Sequence, residues 1–584
     1  MSSKQVKIDQ QIIDKANLWL SEDYDNETRQ KVQQLMADQS DELVEAFYKD
    51  LAFGTGGLRG IMGVGTNRIN QYTIGMTTQG FANYLNAQFS KMDEIKVVIG
   101  YDCRNNSKLF AQKTADVLSA NGIKAYLFEN LRPTPEISFA IRTLGCQGGV
   151  VITASHNPKE YNGYKVYWDD GGQLVAPHDK NVMAEVNKIA TIAAVKSQPK
   201  TELIELLGEN MDDLFVQAVK AVSLSPAIIQ QQKDLKIVFT PIHGTSYKLV
   251  PQALKAYGFE NVTIVEEQAM PDGNFSTVHS PNPEEAAALE MAIDLAKKTD
   301  ADIVMGTDPD ADRVGIAVKN LNNEFEILNG NQTGALLIYY LLTKWKEKNK
   351  LNGKQFVGKT IVTTTLIDAI CKAFNVACYD TLTGFKFIAD LIKKKEGQET
   401  FIGGGEESYG YLIGDFVRDK DAITSCAMLA EIAAWAKNEG TTMYGKLMEI
   451  YEQHGLYKER LLSITKQGKK GGEEIEQMIH NLRTNPPTKI GGSEVVMIKD
   501  YQTSETIDVA KNKKEVIDLP PSNVLQYFTA DGTKVTARPS GTEPKIKFYF
   551  SVNAPLKNKT EFKKQNKQLE ERLDKAMLSL GLTP

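Results

Sequence analysis

The sequence predicts an α/β protein. Three related, mixed α/β domains with parallel-rich sheets are followed by a smaller C-terminal α+β domain, gathered around a central cleft. Three observations carry this. A strand–turn–helix–strand unit occurs three times, and strands that alternate with amphipathic helices form parallel sheets with right-handed crossovers. Each unit leads to a further strand that runs into an unusual loop: a serine loop, an aspartate cluster and a glutamate pair. The final segment turns polar and breaks the pattern. At 584 residues the chain is too long for one core, and about 150 residues per domain suggests about four. The expected divisions are 1–208, 209–325, 326–450 and 451–584.

Taken in order, residues 1–50 place Ile12, Ile13, Ala16, Trp19 and Leu20 at helical spacing, which predicts two helices. Residues 53–60 then form a glycine-dense loop carrying Arg59, where bare backbone N–H groups can approach an anion. The first unit has a strand at 95–100, a helix at 108–121 and a strand at 124–128. The second has a strand at 235–240, the turn Pro-Ile-His-Gly-Thr-Ser, a helix to Tyr257 and a strand at 262–265. The third begins at 359–365, with a helix to Phe374 and a strand at 377–379. Beyond these, a helix is expected at 443–454, a loop at 466–472, strands at 494–498, 535–537 and 546–551, and a charged helix at 559–578.

Composition narrows the classes of function. Hydrophobic content of 42% and charged content of 24% are ordinary for a soluble globular protein. A net charge of -6 argues against a nucleic-acid or anionic-membrane partner. The apolar runs fall short of the roughly 18 residues of a membrane span, and no secretory signal is visible. Cys103, Cys146, Cys371, Cys378 and Cys426 make no C-x-x-C pair, and the histidines make no zinc pattern. A cytoplasmic location is expected.

Four loops carry chemistry. Val150 to Thr153 reads as a buried strand and Asn157-Pro158 as a turn, so Ser155 and His156 sit just beyond a strand end, where α/β sheets bind ligands. The absence of a G-x-S-x-G elbow argues against a Ser-His-Asp hydrolase. The strand 303–307 ends in Asp308-Pro-Asp310-Ala-Asp312-Arg313, whose alternate carboxylates can converge on one hard cation, with Arg313 in reach of a phosphate. A calcium EF-hand loop does not fit: position six is Arg313, not glycine, and position twelve is Lys319, not glutamate. In Gly405-Glu406-Glu407-Ser408-Tyr409-Gly410, Glu406 and Ser408 are expected on one side of an extended segment, spaced for two sugar hydroxyls. Arg538, Ser540, Gly541 and Thr542 offer a guanidinium, two hydroxyls and a bare amide, the makings of a phosphate cradle.

The loops T-A-S-H-N-P (153–158), D-P-D-A-D-R (308–313), G-E-E-S-Y-G (405–410) and R-P-S-G-T (538–542), in this order, resemble those of the α-D-phosphohexomutases over roughly residues 50 to 550. The third loop is similar to that of the phosphoglucomutase members; phosphomannomutase-like members tend to have methionine in place of the second glutamate. The length and extended N-terminus look like the longer branch, which includes phosphopentomutase-type and glucose-1,6-bisphosphate synthase-type proteins. The resemblance implies four domains around a cleft and a phosphoserine at Ser155. It implies interconversion of glucose 1-phosphate and glucose 6-phosphate through glucose 1,6-bisphosphate, which also serves as activator. Magnesium would lie on Asp308, Asp310, Asp312 and phosphorylated Ser155, the distal phosphate on Arg538, Ser540, Gly541 and Thr542, and the sugar on Glu406 and Ser408. Lys165, favoured for proton transfer, Arg59, which orients phosphate, and nearby His156 complete the catalytic set, with Lys386 and Arg313 on the substrate. Some relatives carry histidine where this chain has Gly410.

Small-molecule sugar phosphates are the expected partners, for a monomer or weak homodimer. The last domain is expected to close over the sugar, because water competes for the phosphoryl group. Pentose or mannose phosphates, bisphosphate synthesis and an inactive scaffold remain open on these residues.

Overall fold

The computed structural model describes residues 8–51, 57–466, 468–541 and 544–583. They fall into two compact units, Met1–Ile316 with Gly410–Ala430 and Ala317–Tyr409 with Glu431–Pro584. No helix among the described residues is long and apolar enough to cross a membrane.

The first unit begins with three helices, Gln10–Leu18, Asn26–Asp38 and Asp41–Phe47, rather than the two expected. The extra break has a local cause: Ser40 caps the third helix through Leu43 N at 3.3 Å, as Asp25 caps the second through Thr28 N at 2.7 Å. Trp19 stacks on Tyr24 at 4.7 Å and meets Phe47 and Tyr72 edge-on, closing an aromatic core.

A six-stranded sheet follows, in the order Gly57–Ile61, Tyr161–Trp168, Gly148–Ile152, Lys96–Tyr101, Lys124–Phe128, Ile204–Leu207. Its central strands run parallel, and the first two are antiparallel additions. Residues 57–60 therefore lie on a strand, not in a glycine loop; Phe53 to Gly56 lie outside the described residues. The pairing Arg59↔Gly163 fixes Arg59 on this edge strand. A second sheet places Val262–Ile264, Ile237–Thr240 and Ile303–Thr307 parallel in that order. All five residues of Gly148–Ile152 and of Ile303–Thr307 are buried, as apolar, doubly covered strands require.

In the second unit, Ala377–Thr381, Gln355–Thr360 and Thr400–Gly405 are parallel neighbours in that order. The strand expected at 359–365 stops at Thr360. The threonine run that reads as strand is a turn, in which Thr360 and Thr363 hydroxyls bond each other at 2.9 Å. The remainder is an antiparallel sheet of Leu456–Thr465, Lys545–Ala554, Lys534–Pro539, Leu525–Thr529, Ser493–Asp500, Glu505–Asp508 and Lys513–Val516, in that order. Helices Gly468–Thr484 and Phe562–Ser579 accompany it. The loop expected at 466–472 is largely the start of the first of these helices. Ile475 and Ile479, four apart and both buried, anchor that helix despite its glycines.

A methyl group on Gly404 would sit 2.0 Å from the Gly358 carbonyl oxygen on the neighbouring strand. We expect Gly404→Ala to lower stability by about 1–3 kcal/mol through overpacking. Urea unfolding checks this, with an unchanged midpoint as the contrary result.

Candidate active site

Ser155 follows the buried strand in the left-handed region, φ 51°. Its amide donates to Thr153 Oγ1 at 2.8 Å, and Thr153 donates to Asp102 Oδ2 at 2.7 Å. Arg104, paired with Asp102 at 3.3 Å, collects the carbonyls of Ser155, Asn157, Pro158 and Tyr161. One buried guanidinium thus gathers the whole serine loop. The Ser155 hydroxyl donates to Asp308 Oδ2 at 2.6 Å and lies 3.1 Å from His156 Nδ1. Burial, reinforced by Arg313 and Arg59, holds His156 well below its usual range, so the imidazole is neutral. Arg59 itself donates to Asn157 Oδ1 at 3.1 Å.

Asp308, Asp310 and Asp312 are buried, with one ligand atom from each within 4.8 Å of the others. Oδ1 of Asp310 and of Asp312 are buried without a hydrogen-bond partner, so the donor set fits a hard cation. Burial and repulsion from the other two carboxylates push Asp308 well above the usual range. Burial alone would raise Asp312 too, but Lys165 and Lys420 hold it far below. Lys165 Nζ lies 2.7 Å from Asp310 and 3.0 Å from Asp312, and Lys420 Nζ lies 3.0 Å from Asp312. Burial opposes the Lys165 charge, yet these aspartates raise its pKa, so it is an ammonium. Arg313 pairs with Glu284, with its Nε 3.8 Å from Asp312.

The backbone of this loop is held from three sides. Thr245 N donates to Pro309 O at 2.8 Å, Thr134 N to Asp310 O at 2.9 Å and Ala422 N to Ala311 O at 3.1 Å. Each donor stands at the N-terminal end of a helix, Ser246–Tyr257, Thr134–Leu144 or Ala422–Asn438.

In the second unit the Glu406–Ser408 segment is bent rather than extended, and Tyr409 takes φ 65°. At the bend, Glu407 Oε2 lies 3.2 and 3.3 Å from the hydroxyl oxygens of Thr360 and Thr363. Glu406 Oε1 accepts from Gly384 N at 2.9 Å, which ties the Lys386 turn to the glutamate loop. Arg538 stands opposite Lys547 on adjacent strands, and Ser540 N bonds Lys545 O at 2.7 Å to close the turn. Gly541 is exposed with open space around it, and Thr542 lies outside the described residues.

Within the first unit the structure thus brings together Ser155, His156, Arg59, Lys165, Asp308, Asp310, Asp312 and Arg313. Three contributors escaped the sequence reading: Asp102, Arg104 and Lys420. The first two had a signal, Asp-Cys-Arg at the exit of the neighbouring strand. Lys420 had none nearby; its segment is fixed by Tyr167 and Gln173, which donate to Asp419 at 2.7 and 2.8 Å. Its stem also occupies the space beside Gly410, where a Cβ would lie 2.1 Å from Lys420 Cδ. A larger residue there would have to displace the Lys420 side chain.

Three family models match in succession: the phosphoglucomutase/phosphomannomutase alpha/beta/alpha domains I at residues 50–193, II at 213–322 and III at 329–454. A phosphoglucomutase of Staphylococcus aureus is 39% identical over 515 residues, 88% of this chain and 91% of that protein. One from Staphylococcus haemolyticus is 39% identical over 513 residues, 87% of this chain and 91% of that protein. The chain belongs to the phosphoglucomutase/phosphomannomutase family. The fold is shared with the open form of parafusin, a phosphoglucomutase of Paramecium, at TM-score 0.64, 18% identity, and coverage of 90% of this chain and 95% of that one. It is shared too with a family protein of Burkholderia thailandensis, at TM-score 0.63, 19% identity, and coverage of 90% and 97%.

Asp421 precedes Ala422 and accepts from Thr424 N at 3.0 Å. Burial pushes it up to about 6 from 3.8, against those hydrogen bonds. The folded state therefore binds this proton more tightly than the unfolded one. Its contribution to stability falls as pH rises from 3.8 to about 6, by on the order of 3 kcal/mol. Asp421→Asn should flatten the pH dependence of urea unfolding in that window; an unaltered slope would contradict the assignment.

Proposed function

We propose that this protein interconverts glucose 1-phosphate and glucose 6-phosphate through phosphorylated Ser155 and a glucose 1,6-bisphosphate intermediate. The observation that carries the reading is Ser155 Oγ at 2.6 Å from a buried aspartate cluster, in a chain 39% identical to proteins named phosphoglucomutase. The segments 1–208, 209–325, 326–450 and 451–584 serve as the phosphoserine, metal, sugar and phosphate modules.

Glucose 1,6-bisphosphate phosphorylates Ser155 and so acts as activator. The phosphoryl group then passes to the free hydroxyl of a glucose monophosphate, and the bisphosphate turns over and returns its other phosphate. Such transfer depends on positioning and on charge neutralisation more than on covalent help from the protein. Asp308, Asp310 and Asp312 would hold magnesium, which neutralises the oxygens of the transferring group. Lys165 donates a proton to the departing Ser155 oxygen and regains one from the attacking sugar hydroxyl. Neutral His156 orients that oxygen, and Arg59 and Arg313 take up phosphate charge. Glu406 and Ser408 receive the sugar hydroxyls, with Lys386 beside them, and Arg538, Ser540, Gly541 and Thr542 the distal phosphate. We place the protein in the cytoplasm, as a monomer or weak homodimer. Its five cysteines are all free thiols, in keeping with a reducing compartment.

Initial rates on glucose 1-phosphate, mannose 1-phosphate and ribose 1-phosphate, with magnesium and catalytic glucose 1,6-bisphosphate, test the reading. We expect a clear glucose preference that Ser155→Ala abolishes, together with one phosphate on the wild-type protein by intact mass. Better turnover of ribose 1-phosphate, or full activity in Ser155→Ala, would contradict it.

A further inference from the structure

We propose that Thr134 and Gly244, which touch neither the sugar nor the phosphate in this account, are positioning residues that set the affinity of the aspartate loop for its cation. The inference rests on the reading of that loop as a cation site. Thr134 acts twice on one aspartate. Its amide holds the Asp310 carbonyl at 2.9 Å, and its hydroxyl donates to Asp310 Oδ2 at 3.0 Å. Lys165 reaches the same oxygen at 2.7 Å. With Oδ2 occupied from two sides, Asp310 Oδ1, buried and without a hydrogen-bond partner, is the atom left for a cation. A hydroxyl that fixes a ligand carboxylate selects which oxygen binds and stops its rotation.

Gly244 approaches the loop from the other side. A Cβ there would lie 2.6 Å from Pro309 Cα and 2.8 Å from Pro309 O, closer than the neighbouring backbone can accept. The Pro-Ile-His-Gly-Thr-Ser turn is itself held by hydrogen bonds and is crowded by the same Cβ, 2.9 Å from Pro241 O. His243 is pinned through Nδ1 to Met270 O at 3.1 Å and through Nε2 to Thr277 Oγ1 at 2.9 Å. Thr245 N is committed to Pro309 O at 2.8 Å. A methyl group on Gly244 is therefore expected to press on Pro309, which stands between Asp308 and Asp310. This gives a function to a turn that the serine and aspartate motifs leave unexplained.

Manganese titration of the full-length protein, followed by electron paramagnetic resonance, reads cation affinity without turnover. Thr134→Val should raise the manganese Kd about tenfold, Thr134→Ser should restore it, and Gly244→Ala should raise it as well. The metal concentration for half-maximal rate should follow the Kd, while KM for sugar phosphate at saturating metal stays unchanged. Gly244→Ala keeps the test decisive if Thr134→Val does not fold. Wild-type manganese affinity in folded Thr134→Val and Gly244→Ala would overturn the inference, and so would a wild-type protein that binds no manganese. A loss of manganese affinity as expected, in a protein that turns over no sugar phosphate, would uphold the inference and remove the proposed function instead.

Discussion

Everything else at the candidate active site depends on the hold that three backbone amides keep on the aspartate loop. Asp308, Asp310 and Asp312 are buried within 4.8 Å of one another, an arrangement that their mutual repulsion would otherwise open. The carbonyls of Pro309, Asp310 and Ala311 are each taken by the N-terminal end of a different helix. Helix N-termini carry positive potential, so the same contacts that fix the loop also offset its negative charge. Lys165 and Lys420 supply the rest, both within 3.0 Å of Asp312.

The serine loop is built on the same principle with a different device. Ser155 stands in a left-handed conformation, which costs a non-glycine residue free energy and persists only where its surroundings over-determine it. Arg104 provides that surplus by binding four carbonyls from a position neutralised by Asp102. Two rigid loops, one tied by helix ends and one by a guanidinium, then set the 2.6 Å contact between Ser155 and Asp308. Preorganisation of this kind is what phosphoryl transfer asks of a protein.

How much of this could be read from the sequence follows from how local each feature is. The three α/β repeats were legible because strand and helix periodicities are short-range signals. The aspartate cluster was legible because its three carboxylates lie within five residues and alternate along the chain. Arg59 was misplaced in a loop because glycines mask the pairing of its strand, which only the partner 161–168 makes visible. The Glu406–Ser408 bend was hidden for a similar reason: its contacts are with Thr360 and Thr363, more than 40 residues away. Lys420 reaches Asp312 across more than 100 residues of sequence, with no motif around Lys420 to announce it. Arg104 and Asp102 sit at a neighbouring strand exit, and only the parallel pairing of the two strands brings them to Ser155.

Anomalous diffraction from crystals of the phosphorylated protein soaked in manganese tests the central claim most directly. The account predicts one strong peak between the three aspartates and beside phosphorylated Ser155. The carbonyls of Pro309, Asp310 and Ala311 should still be bonded to Thr245, Thr134 and Ala422. A peak elsewhere, or a loop that has left those three amides on binding the ion, would contradict it.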